Sequence, residues 1–198
     1  AAWSWQQGPM LQWAGPRLVW NDRQDGAFVA RLCDPETGDM TTLDRPIYAL
    51  NPVGGTGLSL NFARLIALRP GYGYAGGQSD GMDRMAPDDD GLWRVDLETG
   101  AATLTLSLAR AVDVLRAAQN DAERQEHEEK EYFYWFNHCK ISPDGKRFTT
   151  KLRWRERNGP WNGTMGVSLT CGMDGSEPRI TARAASHVMW LDPEHLYL

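Results

Sequence analysis

Short segments in which apolar and polar residues alternate recur along the chain, and each runs into a tight turn that ends in glycine. The clearest copies are residues 28–38, 92–100 and 167–175, whose turns carry Glu36, Glu98 and Asp174 before the glycine. Alternation with a period of two residues is typical of a strand with one buried face. Because a repeated antiparallel unit cannot bury its faces alone, the pattern predicts a propeller or another repeat architecture.

The positions of strands and turns predict an all-β fold, a β-propeller of four-stranded antiparallel blades. About three and a half blades fit within residues 1–198, which we expect to form a single partial propeller domain. The expected blades lie at about residues 8–46, 47–108, 132–181 and 186–198, with one helical insertion at about 109–131. A partial ring leaves sheet edges open, so closing it would need missing blades or a second chain.

Two stretches depart from strand alternation. Residues 63–90 interrupt the second blade with a segment rich in Gly, Asp and Met, and long segments of this kind are usually functional or disordered. From Leu108 onward, apolar residues such as Val112 and Leu115 recur at helical spacing and predict one helix that runs to Glu131. The second half of that helix is almost wholly charged, so we expect it, including His127, to be solvated.

Composition narrows the classes of partner. Apolar residues make up 41% of the 198 residues, enough for a packed core. The formal net charge is −5, whereas nucleic-acid-binding proteins typically carry a basic surface. No apolar run approaches the roughly 20 residues of a membrane span. Nine tryptophans suit packing between sheets and also the lining of sugar sites. The three cysteines show no Cys-x-x-Cys spacing and are predicted to be buried thiols. They do not distinguish a cytoplasmic from a periplasmic location.

Two histidines carry the main chemical prediction. His138 and His187 are expected at equivalent positions on the inner strands of consecutive blades, so that both face one mouth of the central channel. Two converging imidazoles can bind a metal or share acid–base chemistry. The alternative is that each bonds the backbone of a neighbouring blade. Gln12 occupies the comparable position in the first blade.

The interrupting segment supplies a second group of candidates. Tyr72 and Tyr74 stand between glycines and could act as catalytic groups beside His138, while Arg64 and Arg69 could pair with a carboxylate. The alternative is a Gly-rich loop in which the tyrosines only pack. The predicted substrate contacts are Arg64, Arg69, Asn61, Asn137 and Gln12.

Residues 141–146, Ile-Ser-Pro-Asp-Gly-Lys, match without a gap the strand–turn–strand signature of TolB-type β-propellers, which the chain resembles. A histidine at the start of an inner strand, in Asn137-His138 and Ser186-His187, is similar to the oligogalacturonate lyase branch of these propellers. This second resemblance implies a divalent metal, Mn or Ca, held by His138 and His187, and an acidic oligosaccharide as partner.

Two functions are compatible with these features. The first is a carbohydrate-active propeller, a lyase that cleaves uronate-containing oligosaccharides by β-elimination. In such a reaction a cation neutralises the carboxylate, and a His or Tyr removes the neighbouring proton. The second is a propeller without catalytic activity that binds a protein or a glycan.

Overall fold

Small antiparallel sheets follow one another along the chain in this computed structural model, which describes residues 1–77, 82–157, 159–183 and 187–198. Each sheet is a meander in which consecutive strands pair. The sheets are β1 (Gln12–Ala14), β2 (Arg17–Gln24), β3 (Ala27–Cys33) and β4 (Met40–Leu43); β5 (Ala49–Leu50), β6 (Thr56–Ser59), β7 (Gly91–Asp96) and β8 (Ala102–Ser107); β9 (Tyr132–Ile141), β10 (Arg147–Glu156), β11 (Met165–Gly172) and β12 (Arg179–Ala182); and the pair β13 (Met189–Trp190) and β14 (Leu196–Tyr197).

In the described ranges, three α-helices lie between these strands. Each begins after a polar residue whose side chain accepts a hydrogen bond from the backbone N–H three residues on, which caps the helix. The helices are α1 (Phe62–Leu68), α2 (Leu108–Ala117) and α3 (Asp121–Glu129), with the caps Asn61, Ser107 and Asn120.

Two expectations about these helices are wrong. The single helix expected over residues 109–131 is split, because Asn120 and Glu123 form a reciprocal capping box that starts a new helix. No helix was predicted in the interrupting segment at residues 63–90, yet α1 begins at Phe62, after β6 has ended at Ser59, and continues into that segment. Residues 78–81 of that segment, and Ser186 at the expected start of the fourth blade, lie outside the described residues.

An aspartate closes a turn in every sheet. Its carboxylate accepts a hydrogen bond from the backbone N–H two residues on, at 2.8–3.2 Å, which is the geometry of an Asx turn. The recurrence seen in the sequence therefore corresponds to a repeated hydrogen-bonded turn. The aspartates are Asp34, Asp96, Asp144, Asp174 and Asp192.

The chain packs as two compact units, residues 1–80 with 92–103 and residues 81–91 with 104–198. The assignment of all blades to a single domain stays a prediction. In the first unit the alternating faces of β2 and β3 point apolar side chains inward, as a half-buried strand requires. The resulting core contains Val19, Ala30, Leu32, Leu43, Ile47, Val95 and Leu97.

The core of the second unit is built on β9, whose first six residues are all buried. The helix α2 packs its apolar face inward through Leu108, Val112 and Leu115. The charged helix α3 buries one residue, His127, so the expectation that His127 is solvated is wrong. Its Nδ1 lies 2.7 Å from the hydroxyl of Tyr134, which provides the polar partner that a buried imidazole needs.

Within the first unit, Asn21 ties the first sheet to the chain that follows it. The side chain is fully buried, and its Nδ2 donates to the carbonyl of Ile47 at 2.7 Å and to the hydroxyl of Tyr74 at 3.0 Å. Its Oδ1 accepts from the N–H of Ile47 at 2.7 Å. The amide thereby satisfies three buried polar groups that an apolar residue would leave unpaired.

Replacing Asn21 with alanine should lower the free energy of unfolding by about 2–4 kcal/mol, because the buried N–H and C=O of Ile47 lose their partner. Tyr74→Phe is the matched control: it removes one hydrogen bond and should cost about 1 kcal/mol. Urea denaturation followed by circular dichroism measures both values. Equal losses in the two variants would contradict the role assigned to Asn21.

Candidate functional site

His138 lies at a β-bulge in the pairing of β9 with β10. The register shifts between Thr149 and Lys151, so that Thr150 opposes two residues of β9 instead of one. His138 adopts a φ of 58°, in the left-handed region that few residues other than glycine occupy. Its N–H donates to the Oδ1 of Asn137 at 2.8 Å. Bulges of this kind redirect a side chain, and strained backbone is often found at functional sites.

His138 and His187 line the same cleft, which has a volume of about 30 Å³. His187 precedes β13, and two hydrogen bonds hold that segment against β9. Lys140 Nζ donates to the carbonyl of Val188 at 2.8 Å, and Trp190 Nε1 donates to the carbonyl of Lys140 at 3.0 Å. The structure thus brings the two histidines together, and the chemistry expected of them stays a prediction.

Every charge that faces this cleft is positive among the described residues. Lys140 and Lys151 line it, and no carboxylate does. Burial, followed by repulsion from Arg153, Lys151 and Lys140, lowers the pKa of His138 to about 4. Burial, followed by repulsion from Arg153 and Lys140, lowers the pKa of Lys151 to about 8. The imidazole of His138 is therefore neutral at neutral pH, and a bound anion would relieve the repulsion between the cations.

Ser168 adds a hydroxyl that has no hydrogen-bond partner among the described residues. The side chain is 1% exposed, and its Oγ is sealed from solvent. By contrast, Thr149 and Thr150, which line the same cleft, donate to the carbonyls of Leu169 and Asn137. Since buried hydroxyls are almost always paired, the hydroxyl of Ser168 marks a position for a ligand atom or a water.

The donor set of the cleft does not fit a divalent metal. Mn²⁺ and Ca²⁺ prefer carboxylate and carbonyl oxygens, whereas this cleft offers the imidazoles of His138 and His187 beside two ammonium groups. Within the described ranges no group of three or more His, Cys, Asp or Glu side chains could hold a metal ion.

The structure buries two predicted contacts in the first unit. Tyr74 is 1% exposed, its ring stacks on Phe62 at 4.2 Å between centroids, and burial raises its pKa to about 12. The neighbouring Gly73 is required by close packing, since a Cβ there would lie 2.2 Å from the carbonyl oxygen of Phe62. Arg64 is 2% exposed. Tyr74 therefore fits the alternative in which the tyrosines of the Gly-rich loop only pack, because a substrate does not reach its buried hydroxyl.

The remaining predicted contacts make local interactions. Asn61 caps α1, and the guanidinium of Arg69 lies over the ring of Tyr72, 5.2 Å from its centroid. Gln12 donates to one backbone carbonyl and accepts from the N–H of Leu50. Asn137 is fully buried under the bulge. Apart from Asn137, these residues belong to the first unit and the histidine cleft to the second, so their joint action stays a prediction.

Sequence reasoning missed three residues of the cleft, namely Lys140, Lys151 and Ser168. A signal for one of them, Lys151, exists in the sequence. Thr149, Lys151 and Arg153 alternate along β10, which places a polar face on a strand whose other face is apolar. Lys151 pairs directly with Ser168 of β11, so only the register of the sheet reveals that the two side chains share that face.

Comparison with known proteins identifies the architecture but no family. No protein-family model matches the chain, and no curated protein does. Among solved structures, the tricorn protease matches with a TM-score of 0.50 and 14% identity, over 90% of this chain and 13% of that chain. TolB from Acinetobacter baumannii matches with a TM-score of 0.43 and 11% identity, over 86% of this chain and 31% of that chain.

The chain forms part of a β-propeller. Its four-stranded antiparallel sheets and its likeness to the tricorn protease confirm the predicted fold class. At this level of identity the likeness shows the fold alone, and the narrower resemblance to oligogalacturonate lyases gains no support from it. None of the helices in the described ranges is long and apolar enough to cross a membrane.

His138 should titrate well below the ordinary pKa of 6.5, at about 4. As the pH falls below 6.5, the unfolded chain takes up this proton before the folded chain does. The stability that the neutral imidazole contributes is therefore complete above pH 6.5 and is lost as the pH falls toward 4.

An NMR titration of the imidazole C–H resonances measures this pKa directly. The variant His138→Asn is the matched control for stability, because asparagine tolerates the left-handed backbone and carries no titrating group. It should remove this part of the pH dependence of unfolding. A pKa of His138 near 6.5 would show that the ring is not buried among cations.

Proposed function

We propose that this partial propeller binds an acidic ligand, and that the His138–His187 cleft receives one of its carboxylates. The observation that carries the proposal is the concentration of positive charge in this cleft, whose described lining residues include no carboxylate. Lys140 and Lys151 line the cleft with the two histidines, and burial, followed by repulsion among the cations, lowers the pKa of both Lys151 and His138. A carboxylate would convert that repulsion into charge-assisted hydrogen bonds.

The dimensions of the cleft support an anionic group carried on a larger molecule. A volume of about 30 Å³ accepts a single small group and excludes a whole sugar ring. The hydroxyl of Ser168 can donate to one carboxylate oxygen, and Lys151, its partner across the strands, can donate to the other. A uronate offers such a group at its edge, which agrees with the acidic oligosaccharide predicted from the sequence.

Calorimetric titration with galacturonate oligomers tests this proposal, with oligomers of neutral galactose as the control ligand. Lys151→Met should weaken binding of the acidic oligomer about ten- to a hundredfold, because a charge-assisted hydrogen bond is lost. Lys146→Met is the matched control for net charge, since the side chain of Lys146 is 81% exposed on a turn. If Lys151→Met weakens binding of the neutral oligomer as much as that of the acidic one, or if the two variants have equal effects on the acidic oligomer, the proposal is refuted.

A lyase is the second candidate, and the state of His138 favours it. The neutral imidazole can accept a proton from the carbon next to a carboxylate that Lys140 neutralises. The electron pair of that C–H bond becomes a C=C bond, the C–O bond to the leaving sugar breaks, and the leaving oxygen takes up a proton. Lys151, with a pKa lowered to about 8, can serve as an alternative base.

An assay for the ultraviolet absorbance of an unsaturated uronate tests this reaction. If His138 is the base of a lyase, His138→Asn should abolish product formation while galacturonate oligomers still bind through the two lysines. Binding without any unsaturated product from the unsubstituted protein would reject the lyase and leave a binding propeller.

A further inference from the structure

A second and larger cleft lies in the same unit, between the helices α2 and α3 and the strands β10 and β11. Its volume is about 340 Å³, at the lower end of the range for small-molecule sites. The proposed anion cleft shares none of its lining residues. The lining residues that matter here are Leu115, Gln119, Glu126, His127, Trp154 and Val167.

Two buried polar atoms of this lining lack a hydrogen-bond partner among the described residues. They are the Oε1 of Gln119 and the Nε1 of Trp154. The two residues are 8% and 6% exposed, so bulk water does not solvate these groups. An indole N–H can only donate and an amide oxygen can only accept. The lining therefore contains one donor and one acceptor that no described residue satisfies.

A third polar group, His127, is 8% exposed and lines the same cleft. Its Nδ1 lies 2.7 Å from the hydroxyl of Tyr134, whereas its Nε2 makes no hydrogen bond with the described residues. Burial lowers the pKa of His127, which favours the neutral ring. Three polar side chains, each at least nine-tenths buried, thus surround one cavity with unused hydrogen-bonding capacity.

The charged groups at the rim already have partners. Glu123 accepts from Arg183 Nη1 at 2.6 Å, and Glu126 accepts from Lys130 Nζ at 2.9 Å and from the hydroxyl of Tyr132 at 3.1 Å. An ionic ligand would compete with these pairs. The cleft therefore suits a neutral ligand better than an ion.

The rest of the lining is apolar or aromatic. Leu115 and Val167 are buried beside the ring of Trp154, and that ring lies 5.2 Å from the ring of His127 between centroids. Aromatic faces pack well against the C–H faces of a sugar ring or another polyol. A hydroxyl group both donates and accepts, so neighbouring hydroxyls on one ring can satisfy the indole N–H and the amide oxygen together.

We propose that this cleft binds a neutral hydroxylated ligand of sugar-ring size, whose hydroxyls accept from Trp154 Nε1 and donate to Gln119 Oε1. The site is independent of the carboxylate cleft and of any reaction there. It would let the propeller hold an uncharged sugar at a place where no charged group is available for a uronate.

Saturation-transfer NMR with D-glucose, D-galactose and D-mannose tests this site on the whole chain. At least one of these sugars should bind, and Trp154→Phe should weaken that binding about tenfold, since one buried hydrogen bond is lost. Gln119→Leu, which removes the acceptor and nearly keeps the volume, should have a similar effect. Thermal denaturation shows whether each variant folds.

Trp93→Phe is the matched control. The Nε1 of Trp93 is also buried and has no hydrogen-bond partner in the described part of the chain, but Trp93 does not line this cleft. Sugar binding that falls equally in the Trp93 variant, or that survives both cleft variants, overturns the proposal. So does the absence of binding by all three sugars, which would mean that the cleft holds only water. If Trp154→Phe does not fold, the Gln119→Leu variant decides.

Discussion

The aspartate turn is the interaction on which the repeated sheets depend. In each sheet a carboxylate accepts a backbone N–H two residues on, and so fixes where one strand ends and the next begins. The hydrogen bond from the N–H of Thr99 lowers the pKa of Asp96, and the bond from the N–H of Glu194 lowers the pKa of Asp192. Folding therefore stabilises the ionised carboxylates, and acid weakens the turns because the carboxylates become protonated and lose these hydrogen bonds.

The two clefts of the second unit are suited to different ligands by the way charge is paired around them. Two lysines line the cleft around His138 and no carboxylate does so among the described residues, so an anion would relieve the repulsion that, after burial, lowers the pKa of Lys151. Around Trp154, each carboxylate at the rim already accepts a hydrogen bond from a cation. The groups without a hydrogen-bond partner among the described residues are neutral, namely the amide oxygen of Gln119 and the indole N–H of Trp154. Both clefts lie beside β10, so one strand contributes Lys151 to the first and Trp154 to the second. The alternation of side chains along a strand makes this division possible.

Much of the fold could be predicted because its signals are local. The strands β3 and β4 lie where alternation and turn residues place them. The break between α2 and α3 was also readable in principle, since Asn120 and Glu123 form a capping box of known spacing. The burial of His127 could not be read in the same way. Seven charged or polar neighbours on a short helix indicate a solvated face, and the ring of Trp154 that covers His127 comes from a distant strand.

For the candidate site, the sequence alone determined the repeated turn, the strand that carries His138 and the alternating polar face of β10, because each depends on spacing along a few residues. Tertiary structure decided which of those groups meet. The bulge opposite Thr150 redirects His138, the register of β10 with β11 puts Ser168 beside Lys151, and the packing of α1 turns Tyr74 inward. Contacts of this kind depend on pairing between distant segments, and the same local pattern is compatible with several registers, only one of which buries the apolar faces.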